Sequence, residues 1–428
     1  MNAIFLFIVL IAFAVAAFFQ INWDGPTEAP MDVLGQAMIK AAEGSVTLAI
    51  GLIGVMTLFL GLMKVAEAGG LLVIVARLMR PLMVRLFPDV PPDHPAMGAI
   101  IMNLSANVLG LGNAATPFGI RAMQELDKLN RHKGTATNAM VLFLAVNTSS
   151  VTLLPTGVIA IRAAAGSMDP AGIVPTTLFA TICSTTVAIL MAKLLQRYWP
   201  MGPETALTPD EASEPAQQPV EEPVEPAGAA YPLWVSLLVL GGVFALVPLT
   251  ILHGRTIAPW IIPGLMVAFL SFGALRGVKI YEVFVEGARD GFQVAVRIIP
   301  YLVAILVAVG MFRASGALEL LITPLSFLTA PLGLPAEALP MALLRPLSGS
   351  GAYGIMASII NDPNIGPDSY TGYLVSTIQG STETTFYVLA VYFGAVQIKR
   401  LRHAIPAALA ADLAGVVAAV VICLLLFG

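Results

Sequence analysis

Glu383 is the one carboxylate inside a long membrane-like run. Gln379, Gly380, Ser381, Thr382, Glu383 and Thr384 are polar, while residues 373–378 before them and 388–393 after them are strongly apolar. At the centre of a bilayer such a charge costs about 2.5–3.5 kcal/mol on lenient insertion scales, so it is expected to face a cavity, a partner or a solute path. Three further breaks have the same character. Asn147, Thr148, Ser149 and Ser150 interrupt the apolar segment 135–163. Asn103, Ser105, Asn107 and Asn113 punctuate a glycine-bearing stretch, and Arg345 precedes Ser348 and Ser350 in the segment 337–362. Amides, hydroxyls, one guanidinium and one carboxylate are the equipment for hydrogen-bonding a small polar solute, and these residues form the candidate substrate-binding set. The bland alternative is that the hydroxyls only satisfy broken helices or glue helices together. Glu383 is also a candidate for coupling to a proton or an ion. So is Asp412, alone in the apolar segment 404–427, unless it simply bonds neighbouring hydroxyls.

Catalysis and metal binding have no support. There is no HExxH, no Walker A string and no paired-carboxylate pattern; His94, His132, His253 and His403 show no i, i+4 spacing, and Cys183 and Cys423 both lie in apolar segments. The string Gly349-Ser350-Gly351-Ala352-Tyr353-Gly354 matches GxGxxG but lacks the strand–turn–helix context that gives that pattern meaning. No cofactor is expected beyond a coupling sodium ion or proton, and nucleic acid is not an expected partner.

The elements that must position these residues are membrane helices. The 428 residues are 57% hydrophobic and 11% charged, with a mean hydropathy of +0.86; soluble chains carry about a quarter charged residues. Spans are expected at about 3–19 (retained, with no basic leader), 45–66, 135–163, 171–194, 232–252, 257–275, 292–312, 371–396 and 404–427. Segments 28–43, 71–87, 280–291 and 315–333 read as interfacial helices, and 96–129 and 337–362 as re-entrant hairpins. Between Pro203 and Pro226 lie six prolines, six glutamates and one aspartate with no Lys or Arg, the composition of a solvated linker. The organisation is therefore a membrane half at 1–198, an acidic Pro-rich linker at 199–230 and a second membrane half at 231–428.

The halves repeat one plan. Aligning Gly70 with Gly316 places Lys40 on Glu286, Glu43 on Arg289 and Glu67 on Arg313, reversed charges that suggest halves meeting across a pseudo-two-fold axis. Half one is basic at 77–85 and 121–133, where half two has no Lys or Arg; half two is basic at 399–402, where half one has only Arg162. Under the positive-inside rule the repeats are inverted, with the N-terminus and the linker cytoplasmic. Inverted repeats built on discontinuous helices are a secondary-transporter architecture, with the site at the repeat interface.

Residues 97–167, including NLSANVLGLGNAATPFGIRAMQEL and ATNAMVLFLAVNTSSVTLLPTGVIAIRAAAGS, resemble the spore maturation protein A family. Residues 345–415, including RPLSGSGAYGIMASIIND and STIQGSTETTFYVLAVYFGAVQIKRLRHAIPAALAADLAG, resemble the spore maturation protein B family. These belong to the gate-domain group, similar to the membrane parts of concentrative nucleoside transporters and ferrous-iron transport proteins. A Gln-Gly-Thr-Glu element of the nucleoside transporters is similar to residues 379–383 here, with one serine inserted. The resemblance implies an all-α polytopic membrane protein with two inverted-topology repeats, re-entrant hairpins and about nine spans, like the concentrative nucleoside transporter core. It also implies a plasma (inner) membrane protein that carries a small polar, nucleoside-like metabolite; self-association as a homo-oligomer is left open. The alternative it leaves open is a non-transporting scaffold of the spore maturation type.

Overall fold

The computed structural model describes residues 2–25, 28–110, 112–201, 231–318, 320, 324, 327 and 329–428; the linker expected at 199–230 lies outside them from residue 202 on, as does part of the segment 315–333. Among the described residues every extended element is helical, and one isolated bridge joins Thr135 to Arg400. Helices α8 (Ile173–Leu195) and α15 (Ala404–Phe427) are each long and apolar enough to cross a bilayer unaided. They close the two halves and pack on each other.

Half one opens with α1 (Asn2–Ile21), α2 (Pro30–Ala68) and α3 (Leu71–Leu86). The interfacial helix expected at 28–43 is not separate. Gly44 between it and the span at 45–66 weakens a helix by about 1 kcal/mol without ending it, so α2 runs continuously for 39 residues. It then bends by 68° into α3 at Gly70, whose φ of +86° suits a residue without Cβ. The same correction applies to 280–291, which continues into its span as α10 (Ile280–Ala314, 35 residues).

Helices α2 and α10 lie antiparallel at close range. Gly61 meets Phe284, Gly287 meets Leu60 and Lys64, and Gly310 meets Ala37 and Ala41. The charged pairs of the repeat alignment do not face each other, because an antiparallel contact carries equivalent positions to opposite ends. Lys64 reaches Glu286 instead (3.8 Å), and Arg313 turns to Asp362 (2.9 Å).

Helix α9 (Leu233–Leu275) is one hydrogen-bonded run of 43 residues, where two spans were expected. Near its start Ser236 Oγ donates to the Leu78 carbonyl (2.7 Å), and just past its end Arg276 Nε donates to the Gly69 carbonyl (2.9 Å). A straight helix would separate these ends by about 60 Å, whereas Gly69 and Leu78 are about 14 Å apart at helical rise. The run is therefore bent rather than straight, and one continuous helix stands where two spans, 232–252 and 257–275, were expected.

Each half then contributes a hairpin and a broken span. Half one supplies α4 (Pro95–Val108) and α5 (Gly112–Lys128), then α6 (Asn138–Thr148) and α7 (Thr156–Ala164). Half two supplies α11 (Leu339–Leu344) and α12 (Gly349–Ile360), then α13 (Tyr370–Ser381) and α14 (Thr385–Gly394). The two broken spans run in opposite directions, so the halves are inverted repeats.

The contact between α2 and α10 tolerates no added methyl at Gly291, where a Cβ would stand 2.7 Å from Thr57 Cα and 2.8 Å from the Met56 carbonyl oxygen, both fixed backbone atoms. Gly291→Ala is expected to destabilise by about 1–3 kcal/mol, read as a lower thermal midpoint of detergent-purified protein. Gly98→Ala, where the Cβ meets nothing within 4 Å, leaves the midpoint level or slightly raised.

Candidate functional site

The two helix breaks meet at the centre of the molecule. Helix α6 starts at Thr137, whose hydroxyl accepts the Met140 N–H (3.2 Å). It ends where Thr148, Ser149 and Ser150 turn their hydroxyls onto the carbonyls of the preceding turn (2.9, 2.9 and 3.1 Å). Such back-bonding competes with helix continuation. Helix α13 starts at Ser369, capping the Gly372 N–H (3.0 Å), and stops at Ser381, after which Thr382 is extended. In the gap the Glu383 N–H donates to the Thr148 carbonyl at 2.8 Å. Each break thus supplies a backbone group that the other lacks.

Each hairpin tip rests on the break of its own half. In half one, Asn107 Nδ2 donates to Asn147 Oδ1 (2.9 Å), and the Leu153 N–H donates to the Val108 carbonyl (2.9 Å). In half two, buried Arg345 donates to Thr384 Oγ1 (3.1 Å) and to the Thr382 carbonyl, and Phe386 N–H bonds the Pro346 carbonyl (3.1 Å). Arg345 and Glu383 form an ion pair at 3.7 Å, but the Glu383 side chain is 52% exposed. Glu383 is therefore an accessible charge at the rim of the break, and the arginine's short bonds go to the threonines.

The candidate residues separate into two groups. Thr148, Ser149, Ser150 and Ser381 bond carbonyls of their own helices, and Ser348 caps α12 through the Gly351 N–H (3.1 Å), so these hydroxyls complete broken backbone. The second group is buried and keeps unpartnered polar atoms: both amide atoms of Gln379, Arg345 Nε, Asn103 Oδ1 and Ser105 Oγ. Buried polar atoms without partners are exceptional in folded proteins. Ser350 is half-buried beside Arg345, and of Asn113 only the backbone, in the first turn of α5, is described.

Two tyrosines join this constellation that the sequence did not single out. Tyr353 on α12 faces Arg345, Glu383 and Gln379, its hydroxyl near the Gln379 amide without a well-formed bond. A Cβ on Gly157 of α7 would come within 2.8 Å of that hydroxyl. Tyr392 on α14 accepts from Asn103 Nδ2 (3.2 Å) and lies against Gly119 of α5. Each hairpin thus touches the distal half-helix of the opposite repeat through a Tyr–Gly contact. Alternating-access folds place moving surfaces at such seams.

Two arginines fasten the ends of the crossed helices. Arg162, fully buried at the end of α7, donates to the Pro367 carbonyl (2.6 Å), Asp368 Oδ1 (3.0 Å), Ser167 Oγ (3.2 Å) and the Asp169 carbonyl (3.2 Å), and lies 4.2 Å above the Tyr373 ring. Asp368 also accepts from Ser167 Oγ (2.5 Å) and the Met168 N–H (2.8 Å). Burial pushes the neighbouring Asp169 carboxyl above its ordinary value, with Arg162 opposing. At the opposite end Arg402 donates to the Ala136 carbonyl (3.0 Å), Asn138 Oδ1 (2.9 Å) and the Trp199 carbonyl (3.1 Å). Beside it burial and Arg402 hold the His403 imidazole down at about 4, hence neutral. In the sequence these arginines count only toward charge asymmetry. For Arg162 the available signal was a lone Arg closing an apolar helix, whereas Arg402 was one cation of the basic run 399–402.

Comparison with known proteins follows the same division. The Gate family model, described as nucleoside recognition, matches residues 49–165 and 295–399. Spore maturation protein A of Bacillus subtilis is 51% identical over 158 residues, 37% of this chain and 81% of that protein. Spore maturation protein B of the same organism is 48% identical over 167 residues, 39% of this chain and 93% of that protein. Among solved structures, CNTnw in an inward-facing substrate-bound state aligns with 98% of this chain and 90% of its own at a TM-score of 0.45 and 15% identity. The YdaH transporter of Alcanivorax borkumensis aligns with 98% and 97% at a TM-score of 0.40 and 15% identity.

Two stability measurements test this geometry. Arg162→Met is expected to cost about 3 kcal/mol, because it leaves Asp368 without its buried partner, and a cycle with Asp368→Asn should be strongly non-additive. Arg345→Gln should cost about 1–3 kcal/mol through lost bonds to Thr382 and Thr384, whereas Glu383→Gln, on a half-exposed group, changes stability by less than about 1 kcal/mol. Thermal midpoints of the purified variants check both.

Proposed function

The chain belongs to the Gate family, described as nucleoside recognition, and on that premise we propose that it carries a small polar, nucleoside-like metabolite across the membrane. The supporting observation is Gln379, 2% exposed beside the crossing of the two breaks, with its amide oxygen and nitrogen both unpartnered. An amide in that state offers one acceptor and two donors to a polar solute. Arg345, Asn103 and Ser105 hold further unpartnered atoms nearby, Asn107 and Asn147 present paired amides, and half-exposed Glu383 supplies charge at the entrance. The backbone-completing residues (Thr148, Ser149, Ser150, Ser348, Ser381, Thr382 and Thr384) shape the path, with Ser350 and Asn113 beside it. Movement of the hairpins along their Tyr–Gly contacts, while the arginine clasps hold the broken helices, would expose the site to either side in turn. No reaction is assigned to the protein.

The placement we propose is the plasma (inner) membrane, in contact with lipid and a small solute, and self-associated as a homo-oligomer. The basic residues 131–133 and 399–402 of opposite halves lie at one end, which the positive-inside rule makes cytoplasmic. Trp199, at the start of the linker, accepts from Arg402 at that same end, which supports a cytoplasmic linker, and we propose the same side for the N-terminus.

A second reading rests on the near-50% identity to two spore maturation proteins: a non-transporting scaffold in which the halves stand for two partner chains. Uptake of radiolabelled uridine and adenosine by reconstituted liposomes separates the two. A transporter shows saturable uptake, and Gln379→Leu weakens it about tenfold or more, the equivalent of one or two hydrogen bonds. A scaffold shows neither uptake nor binding of any nucleoside.

A further inference from the structure

Asp412 is used by nothing described so far. It lies in α15, whose 24 residues carry no other charge, and it is 4% exposed. Its Oδ2 accepts from the Thr385 hydroxyl at 2.7 Å, and its Oδ1 has no partner. The sequence reading that it bonds neighbouring hydroxyls is thus met at one oxygen only. Its setting is the break itself. Thr385 is the first residue of α14, and a Cβ on Gly415, one turn along α15 from Asp412, would lie 2.7 Å from Thr382 Cγ2 and 3.4 Å from Ser381 Oγ. On the other side Ser184 Oγ of α8 donates to the Ala411 carbonyl (2.8 Å). One carboxylate therefore ties the last span of half two to the break that carries Gln379 and Glu383.

The charges around it do not complete it. Helices α6, α13 and α14, all packed on α15 or touching it, contain no Asp, Glu, Lys or Arg. On α8 the only such residue is Lys193, in its last turn, with Cys183 the other titratable group; Tyr370, Tyr373, Tyr387 and Tyr392 are the phenols of α13 and α14. His403 stands at the start of α15, about two turns before Asp412. Arg345 is the cation whose charge reaches Asp412, yet its hydrogen bonds go to Thr382 and Thr384 and its ion pair to Glu383. A buried carboxylate with one bare oxygen lacks one positive charge at close range.

The geometry points to Asp412 as a binding site for a single monovalent cation, a proton or a sodium ion, that couples ion binding to the conformation of the Thr382–Thr385 break. A multi-ligand divalent site does not fit, since among the described residues no three His, Cys, Asp or Glu side chains cluster. Asp412 sits behind the break and touches it through Thr385, so the ion acts on the solute path by setting how α14 begins. The inference rests on the transporter reading for its purpose but not for its test.

The test uses the full-length purified protein without any solute. Thermal midpoints are compared for wild type and Asp412→Asn, first across a pH series in choline chloride, then at fixed pH with sodium replacing choline. The expected result is a stabilisation of wild type on acidification or on adding sodium that Asp412→Asn lacks; the responding arm identifies the ion. The His403 contribution is common to both proteins and cancels in the difference. Thr385→Val, which keeps the carboxyl and removes its hydroxyl partner, should shift the response along the pH or sodium axis without abolishing it. It also serves if Asp412→Asn does not fold. Equal responses in wild type and Asp412→Asn, no response of wild type to either ion, or an unshifted response in Thr385→Val would overturn the site. Because no solute is present, a failed uridine experiment and a failed ion experiment are separate outcomes.

Discussion

A helix that stops inside a membrane leaves carbonyls and amides with no water to receive them, and the whole arrangement follows from how those groups are satisfied. Here two spans stop at the same depth while running in opposite directions. The amide freed at Glu383 finds the carbonyl freed at Thr148, and the remaining groups are met by hydroxyls of the broken helices and by hairpin tips from the same halves. Opposed direction is what makes this exchange available: parallel broken helices would present like ends to one another. The inversion of the repeats is thus required by the hydrogen-bond accounting at the centre, and the charge asymmetry of the loops is its outward sign.

Once the backbone is satisfied by serines and threonines, the other polar side chains are released from structural duty. Ser149 and Ser150 are committed to their own helix, while Gln379 of the other broken span is not. This division gives the centre a rigid frame and an unsaturated surface within a few residues of each other. The two arginine clasps add to the frame at its ends, and the Tyr353–Gly157 and Tyr392–Gly119 contacts each set a tyrosine against a glycine, where a surface without side chains offers little to interlock.

Much of this was legible in the sequence because the signals were compositional or local. Polar residues inside apolar runs marked both breaks and both hairpins, and Lys and Arg placement marked the inversion. What escaped was set by distant contacts. The continuity of α2 and of α10 could not be read from amphipathicity, since a helix that leaves the bilayer and one that lies on it share the same pattern. The linked charges at Lys40/Glu286 and its fellows misled because alignment gives equivalence, not proximity. Glu383, the conspicuous carboxylate, is half-exposed, whereas the more demanding charge, Arg162, looked like an ordinary flanking residue. Its partner Asp368 is about two hundred positions away; no spacing rule reaches that far.

That distance matters during synthesis. Arg162 enters the membrane with the first half, and the carbonyl, carboxylate and ring that enclose it (Pro367, Asp368 and Tyr373) are made only after α8, the linker and helices α9 to α12 have emerged. Until then the first half offers that guanidinium only Ser167 Oγ and the Asp169 carbonyl, without the carboxylate and ring that complete its burial. Two separate chains would have to find each other by diffusion in the bilayer before that debt was cleared. Joining them end to end makes the partner's arrival a matter of translation time, and fixes the ratio of the halves at one to one.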